Sequence, residues 1–504
     1  MSVAETHDSL PQDSSLFKSA RLYQKALLEI FPLRKDALLQ LIESLAATEK
    51  PTSVVELSLE ATFQRTFSNI NQAITALSEP ASVVCCPLSH RPEANSDLNV
   101  VVNSDGKKKY VDSAMFQKLS YKWTKLFIKN LPREVDRPFK LFALDATSTP
   151  KPHAHTLEDR TYVHASRKVG IPVDVGLQAS LLIGIPERKH DEPKWPLPLS
   201  IERICSSETP CQVAENQLKM LSQLDSSQTL HVIAADSGYT SLKPQSPNQV
   251  VVARARMDRT GRRPFIDNSE GSKSIRGRPK KYEGDAIRFS TSSSVGEDGG
   301  PDQEEVYEDF INGKEVEVLV QRWNNVYVTG QEKLVDVVKA EVFLKEDSSK
   351  KVFSNPLLVL VIGERKDELN SRQVYESYRD RFDIEHNFRF LKQKLLFCKY
   401  QTAEVQRLVN WWWICLMAYW LLYFVREVPA NSDKPWFRKR KQTKISSPGD
   451  VKRVFGSKIF PELGSPSKRP ISRGKSKGRV EGTILQKRIK QKIIKKGRDS
   501  PKTA

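Results

Sequence analysis

Cysteines are scarce in this sequence, and their spacing suits neither a metal site nor a disulfide framework. The six cysteines lie at positions 85, 86, 205, 211, 398 and 415 of the 504 residues. None forms a C-x-x-C pair or a Cys/His ligand spacing, so neither a zinc module nor a disulfide scaffold is expected. With 38% hydrophobic residues, the chain fits an intracellular globular protein.

A secretory leader and a clear membrane span are also missing. The opening residues, MSVAETHDSLPQDSS, have neither a basic region nor an apolar run, so no signal peptide is expected. Val409 to Val425 approaches membrane-like hydrophobicity, but it is short for a span and contains Asn410. We expect a buried helix there, with Trp411 to Trp413 covering the core, and no membrane partner. A membrane span is the alternative.

The net charge of +19 is concentrated at one end of the chain. Lys434 to Ala504 contains 23 lysines and arginines but only four acids, so the rest of the chain is close to neutral. This Pro-, Ser- and Gly-rich segment predicts a flexible arm that binds polyanions without reading sequence. A solubilising tail is the alternative interpretation.

Hydrophobic patterning predicts an α/β protein in five segments. Residues 1–135 contain helical periodicities between about Leu16 and Leu131 and predict an all-helical domain. Short apolar runs in 136–257 surround one helical stretch and predict a mixed α/β fold. Residues 258–363 read as a β-rich insertion with a flexible basic opening, 364–430 as helices that complete the α/β core, and 431–504 as the basic tail.

One polar row stands out in the stretch SRQVYESYRDRFDIEHNFRFLKQKLLF, which we predict to be a single long helix. Its members are Tyr378, Arg381, Glu385 and Lys392, which fall within an arc of about 60°. A parallel apolar stripe would dock on the core: Ile384, Phe388, Leu391 and Leu395. A carboxylate flanked by cations and a phenol suits a site for a metal ion and a phosphate chain. A solvated face is the alternative, with Glu385 pairing Arg381 or Arg389.

Two aspartates complete a candidate metal site. Asp145 is predicted where the apolar run from Phe139 ends and a turn begins, and Asp236 where the run from Leu230 ends. Acids at strand ends are common ligands, although they also cap turns. With Glu385 they could hold two divalent cations for phosphodiester chemistry. The competing acids fit this pattern less well: Asp136, Asp225, Asp380 and Asp383.

These motifs resemble those of a known enzyme family. The texts LDAT and ADSGY and the Y-x2-R-x3-E-x6-K series at Tyr378, Arg381, Glu385 and Lys392 are similar to the signature of bacterial insertion-sequence DDE transposases. The similarity runs from about Phe139 to Val425. It implies an RNase H-like catalytic core interrupted by the β-rich insertion, with the first 135 residues as a DNA-binding domain.

The resemblance also implies roles for individual residues. Asp145, Asp236 and Glu385 would be the catalytic and metal-binding triad for Mg²⁺, with Mn²⁺ able to substitute. Tyr378, Arg381 and Lys392 would contact DNA phosphates at the element's ends. The protein would cleave those ends and join their 3′-OH groups to target DNA, as a homodimer on double-stranded DNA in the bacterial cytoplasm, associated with the nucleoid. A non-catalytic DNA-binding protein is the alternative, as is another RNase H-like nuclease.

Two smaller motifs extend the list of candidate DNA contacts. Arg276 and Arg278, in RGRPKK, resemble a minor-groove AT-hook, for which a plain charged loop is the alternative. Trp323 and Tyr327 in the insertion could stack on an unpaired base, although strand aromatics more often belong to the core.

Overall fold

A computed structural model provides the structure of the chain. It describes residues 15–50, 52–78, 99–102, 108–111, 114–164, 172–188, 192–265, 281–290, 295–297, 299–311, 313–428, 445–463 and 489–495. The predicted α/β class is confirmed, since one large open sheet is flanked by helices.

The N-terminal region is mainly helical. Its helices are α1 (Ser15–Ile30), α2 (Lys35–Ala47), α3 (Ser68–Ala76) and α4 (Ala114–Lys129). The prediction that it is all-helical is wrong, because β1 (Asn99–Val102) and β2 (Lys108–Val111) pair as an antiparallel two-stranded sheet. The three consecutive valines of β1 and the Tyr-Val pair of β2 favour extended backbone over helix.

The central part of the large sheet is built from five long strands and one short strand. They are β3 (Phe139–Pro150), β4 (Thr161–His164), β5 (Val173–Gly184), β6 (Leu197–Ile204), β7 (Leu230–Ala235) and β8 (Gln249–Arg254). The strand order is β6-β5-β3-β7-β8, with β4 beside β5. Strands β6, β5 and β3 are antiparallel, whereas β3, β7 and β8 run parallel.

Helix α5 (Pro210–Leu224) provides the crossover between β6 and β7. Its start is fixed by Thr209, whose hydroxyl accepts from the Gln212 amide while the Gln212 side chain accepts from the Thr209 amide. Buried Val213, Leu218 and Leu221 anchor its inner face.

The segment predicted as an insertion continues the same sheet. Its strands are β9 (Thr260–Pro264), β10 (Tyr282–Arg288), β11 (Gln303–Ile311), β12 (Lys314–Val328), β13 (Val335–Leu344), β14 (Asp347–Lys351) and β15 (Leu357–Ile362). Strand β15 pairs antiparallel with β8, so the insertion is hydrogen-bonded directly to the central strands. Among the described residues, 13 strands join this sheet.

The predicted single long helix is two helices, so that prediction is wrong. They are α6 (Ser371–Asp380) and α7 (Asp383–Lys394). At the junction the Glu385 amide donates to the Phe382 carbonyl and the Ile384 amide to the Arg381 carbonyl, three residues back instead of four. This tighter winding redirects the chain between the two helices.

Helix α8 (Val405–Phe424) is buried in the protein, as expected. Trp411, Trp412 and Trp413 are fully covered, and α8 contacts α1, α2, α3 and β6. No helix in the described ranges is long and apolar enough to cross a bilayer.

The expectation of a flexible tail from residue 431 is wrong for 448–463. There α9 (Pro448–Val454), a π-helical turn (Phe455–Ile459) and α10 (Phe460–Leu463) follow one another. Val451, Phe455 and Ile459 are buried in the core, and Lys452 Nζ donates to the Leu45 carbonyl at 2.6 Å. Apolar burial therefore outweighs the basic composition over this short stretch.

Candidate active site

Two of the predicted acids lie on neighbouring parallel strands. Leu144 of β3 is paired with Ala235 of β7, so the next positions, Asp145 and Asp236, lie beside each other. Asp236 directly follows β7, as predicted. Asp145 differs from prediction, since β3 continues without a turn to Pro150 and places this acid in mid-strand.

Glu385 comes to this region from the first turn of α7. Helix α7 is fixed by contacts with the segment before β6: Lys194 forms an ion pair with buried Asp383, and Asn387 Nδ2 donates to the Pro196 carbonyl at 3.0 Å. Helix α6 is held by the insertion, because Arg379 pairs with Asp309 of β11. The two helices therefore have separate anchors on either side of their junction.

Arg381, at that junction, bridges the helices and the sheet. Its Nη1 lies 3.2 Å from Asp145 Oδ2, and its guanidinium carbon lies 5.4 Å from the centre of the Tyr378 ring. The guanidinium is mostly buried, so this ion pair is poorly screened by water. Of the predicted polar row, Arg381 thus contacts one of the predicted strand acids, and Tyr378 lies beside Arg381.

The electrostatics link all three acids. Burial raises the pKa of Asp145 to about 6, the Arg381 guanidinium opposes the rise, and the charges of Glu385 and Asp236 add to it. Burial likewise raises the pKa of Tyr378, and the Asp236 charge adds to that rise. The acids are near enough to influence one another's ionisation, which is the behaviour of a shared site.

The carboxylates of Asp145, Asp236 and Glu385 suit a hard divalent cation chemically, but they do not converge on one metal-binding position. Carboxylate oxygens are the ligands that Mg²⁺ prefers. Within the described ranges, no group of three or more His, Cys, Asp or Glu side chains is placed to hold a metal ion. In this conformation Arg381 supplies the positive charge beside Asp145.

Lys392 lies in the last turn of α7, away from the junction. Its ammonium is 5.7 Å from the centre of the Phe388 ring. Burial raises the pKa of the Cys398 thiol, and the Lys392 charge opposes that rise, so Lys392 lies near Cys398. Cys398 in turn contacts the Ser148 carbonyl near the end of β3.

Of the two insertion aromatics that could stack on a base, Trp323 is not placed to do so. Trp323 is 1% exposed, its indole donates to the Gly299 carbonyl at 3.1 Å, and its ring meets Phe289 edge-on. Trp323 is therefore a core residue, and that prediction is wrong in this conformation. Tyr327 is half-buried, with Lys281 4.5 Å from its ring centre. Arg276 and Arg278 lie outside the described residues.

Two further residues border the acids and were given no role from the sequence. Arg254, exposed at the end of β8, follows the pairing of Ala253 with Ala235 and so lies beside Asp236. Its charge also lowers the pKa of Tyr378, against the larger effect of burial. Tyr239 is 3% exposed, and burial, with the Asp145 charge adding, raises its pKa. The sequence could have indicated Arg254, because like Asp236 it comes at the end of a short apolar run.

Comparisons with known proteins add no identification. No protein-family model matches the chain, and no curated protein matches it significantly.

Proposed function

We propose that this protein is a Mg²⁺-dependent DNA transposase of the DDE type, which cleaves the ends of an insertion sequence and joins the 3′-OH ends to target DNA. The observation that carries the proposal is that the strand register sets Asp145 beside Asp236, with Arg381 in contact with Asp145 and Glu385 near enough to raise the pKa of Asp145. The acids come from two strands and a helix that are far apart in the sequence.

The sheet order supports an RNase H-like core. Three antiparallel strands followed by two parallel ones, in the order β6-β5-β3-β7-β8, is the arrangement of that fold. Asp145 lies in β3 and Asp236 directly follows β7, which are the first and fourth strands of that five-strand set in chain order, and Glu385 lies on the helical segment that follows the insertion. This arrangement supports the resemblance seen in the sequence.

In the proposed enzyme the three carboxylates hold Mg²⁺, or Mn²⁺ in its place. When bound, such ions activate an attacking oxygen and stabilise the leaving oxygen of a phosphodiester. Arg381 keeps Asp145 ionised before loading, because its charge opposes the effect of burial. Tyr378, Arg381 and Lys392 contact phosphates of the element's ends, and Arg254 is positioned to join them. The working form is a homodimer on double-stranded DNA, because two ends must be processed together.

A non-catalytic DNA-binding protein is the second candidate, and one observation favours it. Arg381 forms its ion pair with the very carboxylate that a metal ion would need, and the described residues contain no preformed three-acid cluster. In such a protein the Asp145–Arg381 pair would be a permanent structural contact.

Cleavage of supercoiled plasmid carrying a candidate element end separates the two. The transposase predicts nicking with Mg²⁺ or Mn²⁺ that is lost in Asp145→Asn, Asp236→Asn and Glu385→Gln. Asp380→Asn, an acid on the adjacent helix, is the matched control and should retain activity. Wild-type protein that binds the DNA but does not nick it with either ion would support the binding protein instead.

A further inference from the structure

Helix α4 presents a row of lysines to solvent. Lys118, Lys122, Lys125 and Lys129 recur at spacings of four, three and four residues, and all are exposed. At about 100° per residue they fall within an arc of roughly 60°, and at 1.5 Å per residue the row is about 16 Å long. The lysine row is therefore one narrow, nearly straight line of positive charge.

The opposite face of α4 holds the helix rigidly in the protein. Trp123 and Phe127 are fully buried. The Trp123 ring centre lies 5.1 Å from that of Trp413, and the Phe127 ring stacks on Trp420 at 5.1 Å. This aromatic packing fixes the direction of the lysine row relative to the sheet.

The lysine row lacks the counter-charges that usually accompany an exposed charged helix. Residues 114–129 contain no aspartate or glutamate, and no ion pair of the described part of the chain includes these lysines. Helix α6 shows the ordinary arrangement, in which Arg372 Nε donates to Glu376 Oε1 at 2.9 Å. Like charges spaced by three and four residues destabilise a helix. A row of lysines without acidic partners is therefore not explained by helix stability.

We propose that the lysine row binds the backbone phosphates of double-stranded DNA, an inference that rests on the proposed function and adds a contact surface to it. At 3.4 Å per base pair, a row of about 16 Å follows roughly five base pairs. Lysines are flexible point charges suited to phosphate contact without base readout. Tyr121, 38% exposed beside the row, adds a hydroxyl that can donate to a phosphate.

The packing of α4 favours DNA over an anionic membrane. A helix that lies on a bilayer inserts its apolar face among the lipids. In α4 that face is already occupied by the contacts of Trp123 and Phe127 with α8. Only the cationic side remains available, as phosphate binding requires.

The test compares full-length Lys122→Gln/Lys125→Gln protein with wild type by fluorescence anisotropy on a 30-base-pair duplex at several KCl concentrations. Losing two phosphate contacts should reduce the slope of log K against log salt by about 2 and weaken binding on the order of tenfold at low salt. Lys122→Arg/Lys125→Arg should bind like wild type because the charges are retained.

The matched control is Lys314→Gln/Lys350→Gln, which removes the same charge from exposed positions in the acidic part of the insertion. It should leave the slope unchanged. Wild-type slope and affinity in Lys122→Gln/Lys125→Gln protein would overturn the inference while leaving the transposase proposal intact. Absence of duplex binding by wild type would overturn both. Loss of binding to phosphatidylserine vesicles, with duplex binding unchanged, would assign the row to membranes and reject the DNA proposal.

Discussion

Arg381 Nη1 lies 3.2 Å from Asp145 Oδ2 across 236 residues of sequence. This contact joins the α6–α7 junction to mid-strand β3 at the point where a metal ion is proposed to bind. The guanidinium and a divalent cation would compete for the same carboxylate, so loading should depend on both pH and Arg381.

Arg381→Ala should bind Mn²⁺ more tightly at pH 8, by roughly tenfold, because the competing cation is gone and Asp145 is ionised. The gain should shrink as the pH falls toward 6, since Arg381 opposes the raised pKa of Asp145 and its loss lets that pKa rise further. Titration calorimetry at several pH values measures both effects. Arg389→Ala, at an exposed position on α7, is the control; weaker Mn²⁺ binding in Arg381→Ala would contradict the competition.

Arg254→Gln should weaken duplex binding about uniformly across DNA sequences and lower the salt slope by about 1. The reason is the position of Arg254 at the end of β8, next in register to Asp236. Anisotropy titrations measure the change, with Arg188→Gln removing one exposed arginine elsewhere as control. Equal slopes for the two variants would remove Arg254 from the DNA surface.

Glu43→Gln should stabilise the protein increasingly as the pH rises from about 4.5, with the full gain above about pH 8. Glu43 is buried, receives a 2.8 Å hydrogen bond from Gln24 Nε2, and has a pKa raised by burial to about 8. The folded state thus binds its proton more tightly than the unfolded state, so this stability is fully present below about pH 4.5, falls as the pH rises and is completely lost above about pH 8. The glutamine avoids that loss, worth up to about 5 kcal/mol. Urea unfolding at pH 4.5 and pH 8.5 should show little gain at the lower pH and a large gain at the higher pH.

Deleting residues 464–504 should leave the fold nearly intact, whereas deleting 445–504 should abolish it. The shorter deletion removes two described backbone bonds, from Gln491 to His155 and from Ile494 to Arg160, worth about 1–2 kcal/mol. The longer one also uncovers the core around Val451, Phe455 and Ile459, at a cost of at least about 5 kcal/mol. Thermal unfolding of the two proteins measures the difference. Similar melting temperatures would contradict a structural role for α9 and α10.

Local patterns were sufficient where the structure depends on local chemistry. The apolar run Leu230–Ala235 predicted both the strand and the position of Asp236 after it. The amphipathic spacing of apolar and polar residues in MFQKLSYKWTKLFIKNL likewise predicted the helix α4. In both cases the spacing of the apolar residues is sufficient to identify the type of secondary structure.

Distant contacts explain what the sequence could not predict. No proline or glycine marks the break between α6 and α7; the separate anchors at Asp309 and Lys194 lie far from it in sequence. The sequence of β12 did not show whether the face of the sheet that bears Trp323 is buried or exposed. In the tail, Val451, Phe455 and Ile459 have the spacing of an apolar helix face, but the surplus of basic residues over the whole segment favoured the prediction of a flexible arm.

The dependence of the N-terminal helices on α8 has a consequence for synthesis of the protein. Tyr23 of α1 donates its hydroxyl to the Met417 carbonyl of α8, and Asn410 of α8 donates to the Ile74 carbonyl of α3. The ribosome must add 394 residues between Tyr23 and its partner, which takes roughly 20 to 80 s. Throughout that interval the apolar faces of α1, α2 and α3 that pack on α8 have no α8 to cover them. A nascent chain that stops before α8 therefore leaves these helices exposed to chaperones, proteases and one another.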